Sequence, residues 1–158
     1  MTLADYLAKK QAKKLRRKDN ARFIAKTQDK KLMPKRSVLV AKIDSVFSIM
    51  IRMRGKKKTG GKCEICFKRP IEVCFHWVSR GDYATRWLPE NACASCRGCN
   101  YEETFRKQKY RDIFIARFGL SERERIEGLA RSNKKFSANE LIEMIKNFER
   151  GLSDGNFF

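Results

Sequence analysis

Four of the six cysteines form two Cys-x-x-Cys pairs, a spacing that is typical of metal sites in proteins. The pairs are Cys63 with Cys66 and Cys96 with Cys99. Four thiolates at this spacing can bind one Zn²⁺ ion tetrahedrally, and a small cysteine-rich region gains folding stability from the metal. We therefore predict a structural zinc site. Cys74 and Cys93 are either additional ligands or spare thiols, because Cys93 and Cys96 also have the Cys-x-x-Cys spacing.

His76 is the only histidine of the chain, and it lies between the two cysteine pairs. An imidazole with a pKa near ~6.5 is the natural general base close to neutral pH. Asn91 follows between His76 and the second cysteine pair, and Asn100 comes directly after Cys99. We therefore take His76, Asn91 and Asn100 as candidate functional residues.

The order of these residues, Cys-x-x-Cys, His, Asn and Cys-x-x-Cys-Asn, resembles the pattern of the ββα-metal (HNH) endonucleases. The surrounding sequence resembles the NinG (Rap) family of phage recombination nucleases. The similar stretches are residues 74–80, 85–87, 90–91 and 96–100, together with residues 44–54 ahead of the first cysteine pair. The resemblance spans roughly residues 38–118 and extends to a similar basic N-terminal arm. The phage junction-resolving HNH endonucleases have the same order of paired cysteines and final Asn.

This resemblance implies an α+β fold in which a small zinc-stabilised ββα-metal (HNH) core is flanked by helices. It also implies a metal-dependent DNA endonuclease that hydrolyses phosphodiester bonds in branched or structured recombination intermediates. His76 then ends a strand and acts as the general base, while Asn91 orients its loop by hydrogen bonds. Asn100 begins the helix and, with His76, forms the site of a catalytic Mg²⁺ or Mn²⁺ ion. In this mechanism Arg86 or Arg80 binds a phosphate, and the alternative for each is an exposed arginine of a strand.

One position departs from the HNH pattern. Many HNH enzymes have an Asp directly before the catalytic histidine as a metal ligand, and Phe75 stands there in this chain. A hard divalent cation prefers oxygen ligands and keeps several waters. The expected ligands are therefore Asn100, the substrate phosphate, water and a carboxylate such as that of Asp82 or Glu90.

The chain of 158 residues carries a formal net charge of +19, and most of the excess lies towards the N-terminus. Residues 1–62 hold 20 Lys or Arg against 4 Asp or Glu, whereas residues 63–158 are nearly balanced. A basic arm of this kind neutralises phosphates and releases counterions, so it predicts binding to nucleic acid. The expected partner is DNA that is branched or contains single-stranded parts. The candidate DNA-binding residues are Lys13, Lys14, Arg16, Arg17, Lys18, Lys56, Lys57, Lys58 and Arg80.

The pattern of apolar residues predicts the elements that position these groups. Residues 37–54 form a helix with one apolar face, and residues 56–61 form a basic hinge with two glycines. Residues 71–78 and 85–88 are predicted as a hairpin or as two short strands. Residues 100–118 then form a helix.

The aromatic residues of this region have two interpretations. Tyr83, Trp77 and Trp87 either stack on bases of an opened junction or pack a small core, because aromatic side chains of strands do both. The sequence leaves both interpretations open.

Two further helices are predicted after residue 119. Residues 121–130 form the first, and Ser137 with Glu140 forms a capping box ahead of the second. Their apolar faces either make a homodimer surface or pack on the helix of residues 100–118.

The predicted organisation has four parts. They are a basic nucleic-acid-binding arm at residues 1–36, a helix and basic hinge at 37–62, a zinc-bound HNH-like nuclease core at 63–118 and a C-terminal helical extension at 119–158.

Composition excludes several classes of protein. No apolar run approaches the ~20 residues of a membrane span, and Met1 to Lys10 lacks the apolar stretch of a signal peptide. Six cysteines without such a signal fit a reducing compartment. We therefore expect a cytoplasmic protein, in the host-cell cytoplasm if a phage encodes it, and exclude membrane, collagen-like and secreted disulfide-rich proteins.

Two other functions compete with the endonuclease. The first is a non-catalytic zinc protein that binds DNA or RNA, which the Phe75 position favours. The second is a small basic zinc protein associated with the ribosome, which the long apolar helices near the C-terminus make less attractive.

Overall fold

The computed structural model describes residues 34–155, which form a mostly helical body around a two-stranded antiparallel sheet. The predicted α+β class is confirmed. In chain order, the elements are α1 (Arg36–Thr59), β1 (Val73–His76), α2 (Tyr83–Arg86), a 3₁₀ turn (Pro89–Asn91), β2 (Ala92–Ser95), α3 (Arg97–Glu103), α4 (Lys107–Phe118), α5 (Leu120–Ala130) and α6 (Ala138–Ser153). Nearly all of the predicted basic arm lies outside the described residues.

The two strands separate two apolar cores. Strand β1 runs antiparallel to β2, with Val73 opposite Ser95 and His76 opposite Ala92. Because side chains alternate along a strand, the two faces of the sheet carry different residues. The first core lies on the cysteine side and contains Cys63, Ile65, Phe75, Trp77, Cys93, Cys96, Cys99, Tyr110, Phe114 and Ile126. The second lies against α1 and contains Leu39, Ile43, Phe47, Ile51, Trp87, Ala92, Ala94 and Leu141.

The second strand is not where the sequence predicted it. Residues 85–88 are not a strand: Tyr83–Arg86 form a short helix, and the strand that pairs with β1 is Ala92–Ser95. Strand propensity favours β-branched and aromatic residues, so Thr85 and Trp87 suggested a strand and the small residues of β2 did not. Small residues suit β2 because it is buried along its whole length.

Helix α1 is longer than predicted and continues to Thr59. It passes through Gly55, where an added Cβ atom would lie only 2.3 Å from the Cβ atom of Ala94. The glycine is therefore a packing requirement, because α1 approaches β2 too closely for a side chain. The three lysines of the predicted hinge belong to the last helical turn, where the helix dipole favours positive charge.

Residues 97–118 form two helices where one was predicted. Helix α3 begins at Arg97, and the thiol of its N-cap residue Cys96 accepts a hydrogen bond from the backbone N–H of Cys99 at 3.4 Å. Residues 104–106 then separate α3 from α4. The second cysteine pair thus sets the start of the helix that carries Asn100.

The C-terminal helices bury apolar residues within the chain. The predicted capping box of α6 is confirmed, since Ser137 and Glu140 bond each other's backbone N–H groups. Helix α5 packs on α4 and buries Ile126, whereas α6 packs on α1 and buries Leu141, so only α5 has the predicted partner. A homodimer stays a prediction. Between residues 34 and 155, no helix has both the length and the apolarity needed to cross a membrane.

Candidate functional site

The four paired cysteines meet at the edge of the sheet. The Sγ atoms of Cys63, Cys66, Cys96 and Cys99 all lie within 4.8 Å of one another. A tetrahedral zinc site with Zn–S distances of about 2.3 Å needs S–S separations of about 3.8 Å, so this cluster is close to the required size. These four thiols can hold a metal ion such as zinc.

Backbone N–H groups point at the cysteine sulfurs, as expected for thiolate ligands. The Sγ atom of Cys63 accepts a hydrogen bond from the N–H of Ile65 at 3.4 Å. Burial disfavours the thiolate of Cys66, but hydrogen bonds from the N–H groups of Arg69 and Lys68 outweigh it and lower the pKa of Cys66 to about 6. Burial raises the pKa of Cys63, so within the first pair only Cys66 has surroundings that stabilise negative sulfur.

Cys74 and Cys93 are outside the cluster and are spare thiols. They lie on adjacent strands and point to opposite faces of the sheet, since Cys74 packs against the second core and Cys93 belongs to the first. Burial raises the pKa of Cys74 to about 12 and also raises that of Cys93. Both remain neutral thiols at neutral pH.

The cysteine cluster fixes the relative positions of the sheet and α3. The N–H of Glu64, between the first two cysteines, donates to the carbonyl of Ala94 in β2 at 2.9 Å. The second pair follows β2 directly and begins α3. A strand pair followed by this helix has the ββα order, and it places His76 at the end of β1 and Asn100 in the first turns of α3.

His76 is held in a defined tautomer. Its Nε2 atom lies 2.9 Å from the carbonyl oxygen of Arg86, which can only accept, so Nε2 carries the hydrogen. In the neutral ring, Nδ1 then has a free lone pair, and no residue between 34 and 155 bonds to it. Burial lowers the pKa of His76, against the opposing effect of the Arg86 carbonyl. The ring is therefore neutral at neutral pH.

His76 and Asn100 line the same cleft, which has a volume of about 730 Å³. Helix α1, strand β1, the loop after β1 and helix α3 form its walls. Arg80, predicted to bind DNA, also lines this cleft. The other charged residues of the lining are Asp44, Arg52, Glu72, Glu103 and Lys107.

Arg86 is engaged in a structural ion pair. Its Nε and Nη2 atoms donate to the two carboxylate oxygens of Asp44 at 2.8 and 2.6 Å. The indole N–H of Trp87 also donates to Asp44 at 2.8 Å. Although burial disfavours the charged form, these hydrogen bonds lower the pKa of Asp44. Arg86 therefore acts on the site through its backbone carbonyl, which orients His76, and its side chain anchors the loop to α1.

Asn91 is fully buried and ties the loop that follows β1. Its Oδ1 atom accepts from the N–H of Val78 at 2.7 Å, and its Nδ2 atom donates to the carbonyls of Val78 and Thr85 at 2.9 and 3.1 Å. All of these partners are backbone atoms. The amide thus closes the loop between the strands, which is the orienting arrangement expected for this residue.

The carboxylates near His76 differ from those expected. Asp82 and Glu90 do not line the cleft, whereas Asp44, Glu72 and Glu103 do. Glu103 lies one helical turn after Asn100, and its carboxylate makes no hydrogen bond or ion pair with residues 34–155. The three-residue spacing in a predicted helix is the sequence signal that would have identified it.

Phe75 belongs to the core. Its ring packs against Trp77 and Tyr110, with centroid distances of 5.0 and 5.6 Å. Trp77 and Trp87 are only 5% and 6% exposed, so for these two aromatic residues the core interpretation is confirmed. The side chain of Phe75 therefore lies on the opposite face of β1 from His76.

The predicted lysines of the hinge do not line the cleft. Lys56, Lys57 and Lys58 are exposed, and Lys58 forms an ion pair with Glu64 at 3.5 Å. The arm residues proposed to bind DNA lie outside the described residues. They are Lys13, Lys14, Arg16, Arg17 and Lys18.

The chain matches no protein-family model, no curated protein and no solved structure. The function proposed below therefore rests on the residues of the cleft, the cysteine cluster and the resemblance of the sequence motifs.

Proposed function

We propose that the protein is a metal-dependent DNA endonuclease of the HNH type that hydrolyses phosphodiester bonds in branched or structured DNA, as the NinG resemblance implies. The observation that carries this proposal is the shared cleft of His76 and Asn100, built on a sheet and helix that the cysteine cluster holds together. Because Nε2 of His76 carries the hydrogen and the ring is neutral, the lone pair of Nδ1 can accept a proton, which supports His76 as the general base.

His76 would act on the water that attacks phosphorus. Nδ1 accepts a proton from this water while its oxygen bonds to phosphorus and the bond to the 3′ oxygen breaks. The departing oxygen then takes a proton from solvent. The carbonyl of Arg86 keeps the ring in the required tautomer throughout and stabilises the imidazolium that forms.

The cleft contains oxygen donors for a divalent cation and cations for the phosphates. Asn100 and Glu103 line the cleft from α3 and would present oxygens to the cation. Glu72 also lines the cleft, but its carboxylate already accepts from the backbone N–H of Arg97 at 2.9 Å and lies 3.6 Å from the Arg97 guanidinium. These residues suit Mg²⁺ or Mn²⁺, which when bound supplies positive charge at the scissile phosphate and the departing oxygen. Arg52, Arg80 and Lys107 would bind the flanking phosphates. The zinc at the cysteines is structural in this proposal.

The test compares zinc-loaded wild type with His76→Ala on a four-way junction and on duplex DNA of the same sequence, with Mg²⁺ or Mn²⁺. We expect the variant to cut about 10²- to 10⁴-fold more slowly while binding DNA as the wild type does. Ser79→Ala is the matched control, because Ser79 also lines the cleft and, among residues 34–155, its hydroxyl bonds only the N–H of Gly81. Equal cutting by wild type and His76→Ala contradicts the catalytic role.

A non-catalytic zinc protein that binds DNA or RNA is the second candidate. Phe75 supports it, because its ring is buried in the core at the position where many HNH enzymes have an acidic metal ligand. Asp44 supports it too, because Arg86 and Trp87 already occupy this carboxylate. Tight DNA binding by the wild type without any metal-dependent cleavage would favour this second function.

A further inference from the structure

Two aromatic side chains stand in solvent beside the cleft. Tyr101 and Phe105 are 69% and 70% exposed, the highest values among the large apolar side chains of residues 34–155. Their ring centroids lie 5.2 Å apart at an interplanar angle of 68°, so the rings contact each other edge to face. A folded chain rarely exposes a contiguous aromatic pair unless it binds something there.

The pair borders the wall of the cleft formed by α3. Tyr101 directly follows Asn100, and Phe105 directly follows Thr104. Asn100, Glu103 and Thr104 all line the cleft. A strand whose phosphate enters the cleft near His76 would therefore pass its neighbouring nucleotides along these rings.

The charges around the rings fit a nucleic acid. The side chains of Arg97 and Arg106 are 79% and 65% exposed, although they form ion pairs with Glu72 at 3.6 Å and with Glu102 at 3.5 Å, and Lys107 lines the cleft itself. Glu102 and Glu103 lie between the two rings in the chain, and the cations flank them on either side. Proteins that bind single strands combine aromatic rings, on which bases stack, with cations that contact the phosphates. Paired bases inside a duplex offer no free face for such stacking.

Other exposed aromatic residues have contacts that account for them. Phe118 packs on Phe114 at 4.8 Å. Phe67 lies under the guanidinium of Arg117, 5.3 Å from its ring centroid, and does not line the cleft. Phe67 is therefore a useful control for aromatic exposure without proximity to the cleft.

We propose that Tyr101 and Phe105 form a stacking platform for unpaired bases of the DNA strand that enters the cleft. This inference rests on the proposed function, because it assumes that a DNA strand enters the cleft with its scissile phosphate near His76. It narrows the substrate class to DNA with unpaired nucleotides beside the scissile phosphate, and it assigns the selection of that substrate to two residues that take no part in the chemistry.

The experiment measures binding of zinc-loaded full-length protein to two DNAs without Mg²⁺ or Mn²⁺, so that no cleavage is needed. One is a duplex, and the other is the same duplex with a short unpaired loop that carries 2-aminopurine. We expect Tyr101→Ala/Phe105→Ala to bind the looped DNA about tenfold or more weakly, with a change below about twofold for the duplex. The 2-aminopurine fluorescence change seen with wild type should also disappear.

Two further variants separate stacking from other effects. Tyr101→Leu/Phe105→Leu keeps apolar area but no ring, so it should behave like the alanine variant. Tyr101→Phe keeps the ring and should bind as wild type does, and so should Phe67→Ala. Because both aromatic residues are exposed, thermal unfolding of all variants should match that of the wild type.

The outcomes distinguish this inference from the proposed function. Equal binding of looped DNA by wild type and the double alanine variant overturns the platform even if the wild type cuts DNA. Equal affinity of the wild type for the looped and paired DNAs also overturns it. A lost preference for the loop in the double variant supports the platform even if no metal ion brings about cleavage.

Discussion

The two faces of the small sheet differ in the kind of residues that they carry. On one face, four sulfur atoms lie within 4.8 Å of one another beside a dry aromatic core. On the other face, α1 and the loop after β1 surround His76 with charged and polar groups that remain partly open to solvent. The comparison indicates that the cysteine face holds the sheet and α3 together, whereas the cleft face carries the groups for which we propose a role in binding and cutting DNA.

The largest expected effect comes from the cysteine face. Cys96→Ser removes a thiol of the cluster but keeps a side chain that can cap α3, and structural zinc binding is worth about 10–16 kcal/mol in zinc-finger peptides. We expect loss of bound zinc and of the cooperative thermal transition, measured by metal analysis and circular dichroism. Cys74→Ala should retain both, because Cys74 is outside the cluster. Cooperative folding of Cys96→Ser without metal would show that the cysteine face is not the source of stability.

The next effect concerns the ion pair that joins the cleft face together. Asp44→Ala leaves the guanidinium of Arg86 and the indole of Trp87 without this acceptor. The ion pair is mostly buried, because the side chains of Arg86 and Asp44 are only 19% and 26% exposed. We expect a loss of about 3 kcal/mol in the free energy of unfolding by urea. Asp82→Ala is the control and should change it by no more than about 0.5 kcal/mol, because the Asp82 side chain makes no capping bond. Similar values for the two variants would refute the structural role of the pair.

A smaller effect tests how closely α1 approaches the sheet. Gly55→Ala should destabilise the protein by about 1–3 kcal/mol, because its Cβ atom would collide with Ala94. Gly128→Ala should do the opposite and stabilise it by up to about 1 kcal/mol, because within residues 34–155 no atom beyond the adjacent helix backbone lies within 4 Å of that Cβ, and alanine favours helix. Thermal unfolding of both variants gives the signs, and a stable Gly55→Ala protein would mean that the cleft face is loosely packed.

The smallest effect is a pH dependence of cleavage. The base acts only when neutral, and because burial lowers the pKa of His76, the neutral form persists below the ordinary value of 6.5. We expect the single-turnover rate to be nearly constant from pH 8 to 7 and to reach half of its plateau only below pH 6.5, so that it falls by less than about tenfold at pH 5.5. Asp44, Arg80 and Arg86 are the charged groups that act on His76. A rate that already declines between pH 8 and 7 contradicts a buried neutral base.

The sequence predicted the features that depend only on residue types at a fixed short spacing along the chain. The Cys-x-x-Cys pairs specified the four-sulfur cluster, because a metal needs that spacing whatever surrounds it. Ser137 and Glu140 specified the start of α6 for a similar reason, since a capping box is a local bond pattern. Local geometry of this kind needs no knowledge of the rest of the fold.

Features that depend on packing at a distance were not predicted. Strand β2 is made of small residues because α1 lies against it, and the strand propensity of single residues does not reflect that contact. The bond from Arg86 to Asp44 joins residues far apart in the chain, so Arg86 seemed free to bind phosphate. The exposed pair Tyr101 and Phe105 was missed because exposure, unlike residue type, is a property of the assembled surface.

The start of helix α3 at Cys96 sets the position of every later residue of that helix, including Asn100. Cys96 caps the helix, Cys99 closes the cluster, and Asn100 is the next residue. Each residue of an α-helix turns the chain by about 100°, so one amino acid inserted between Cys99 and Asn100 would leave every sulfur in place and swing the amide away from His76. A change of length by a single residue at this point would therefore leave an intact scaffold with a misaligned cleft.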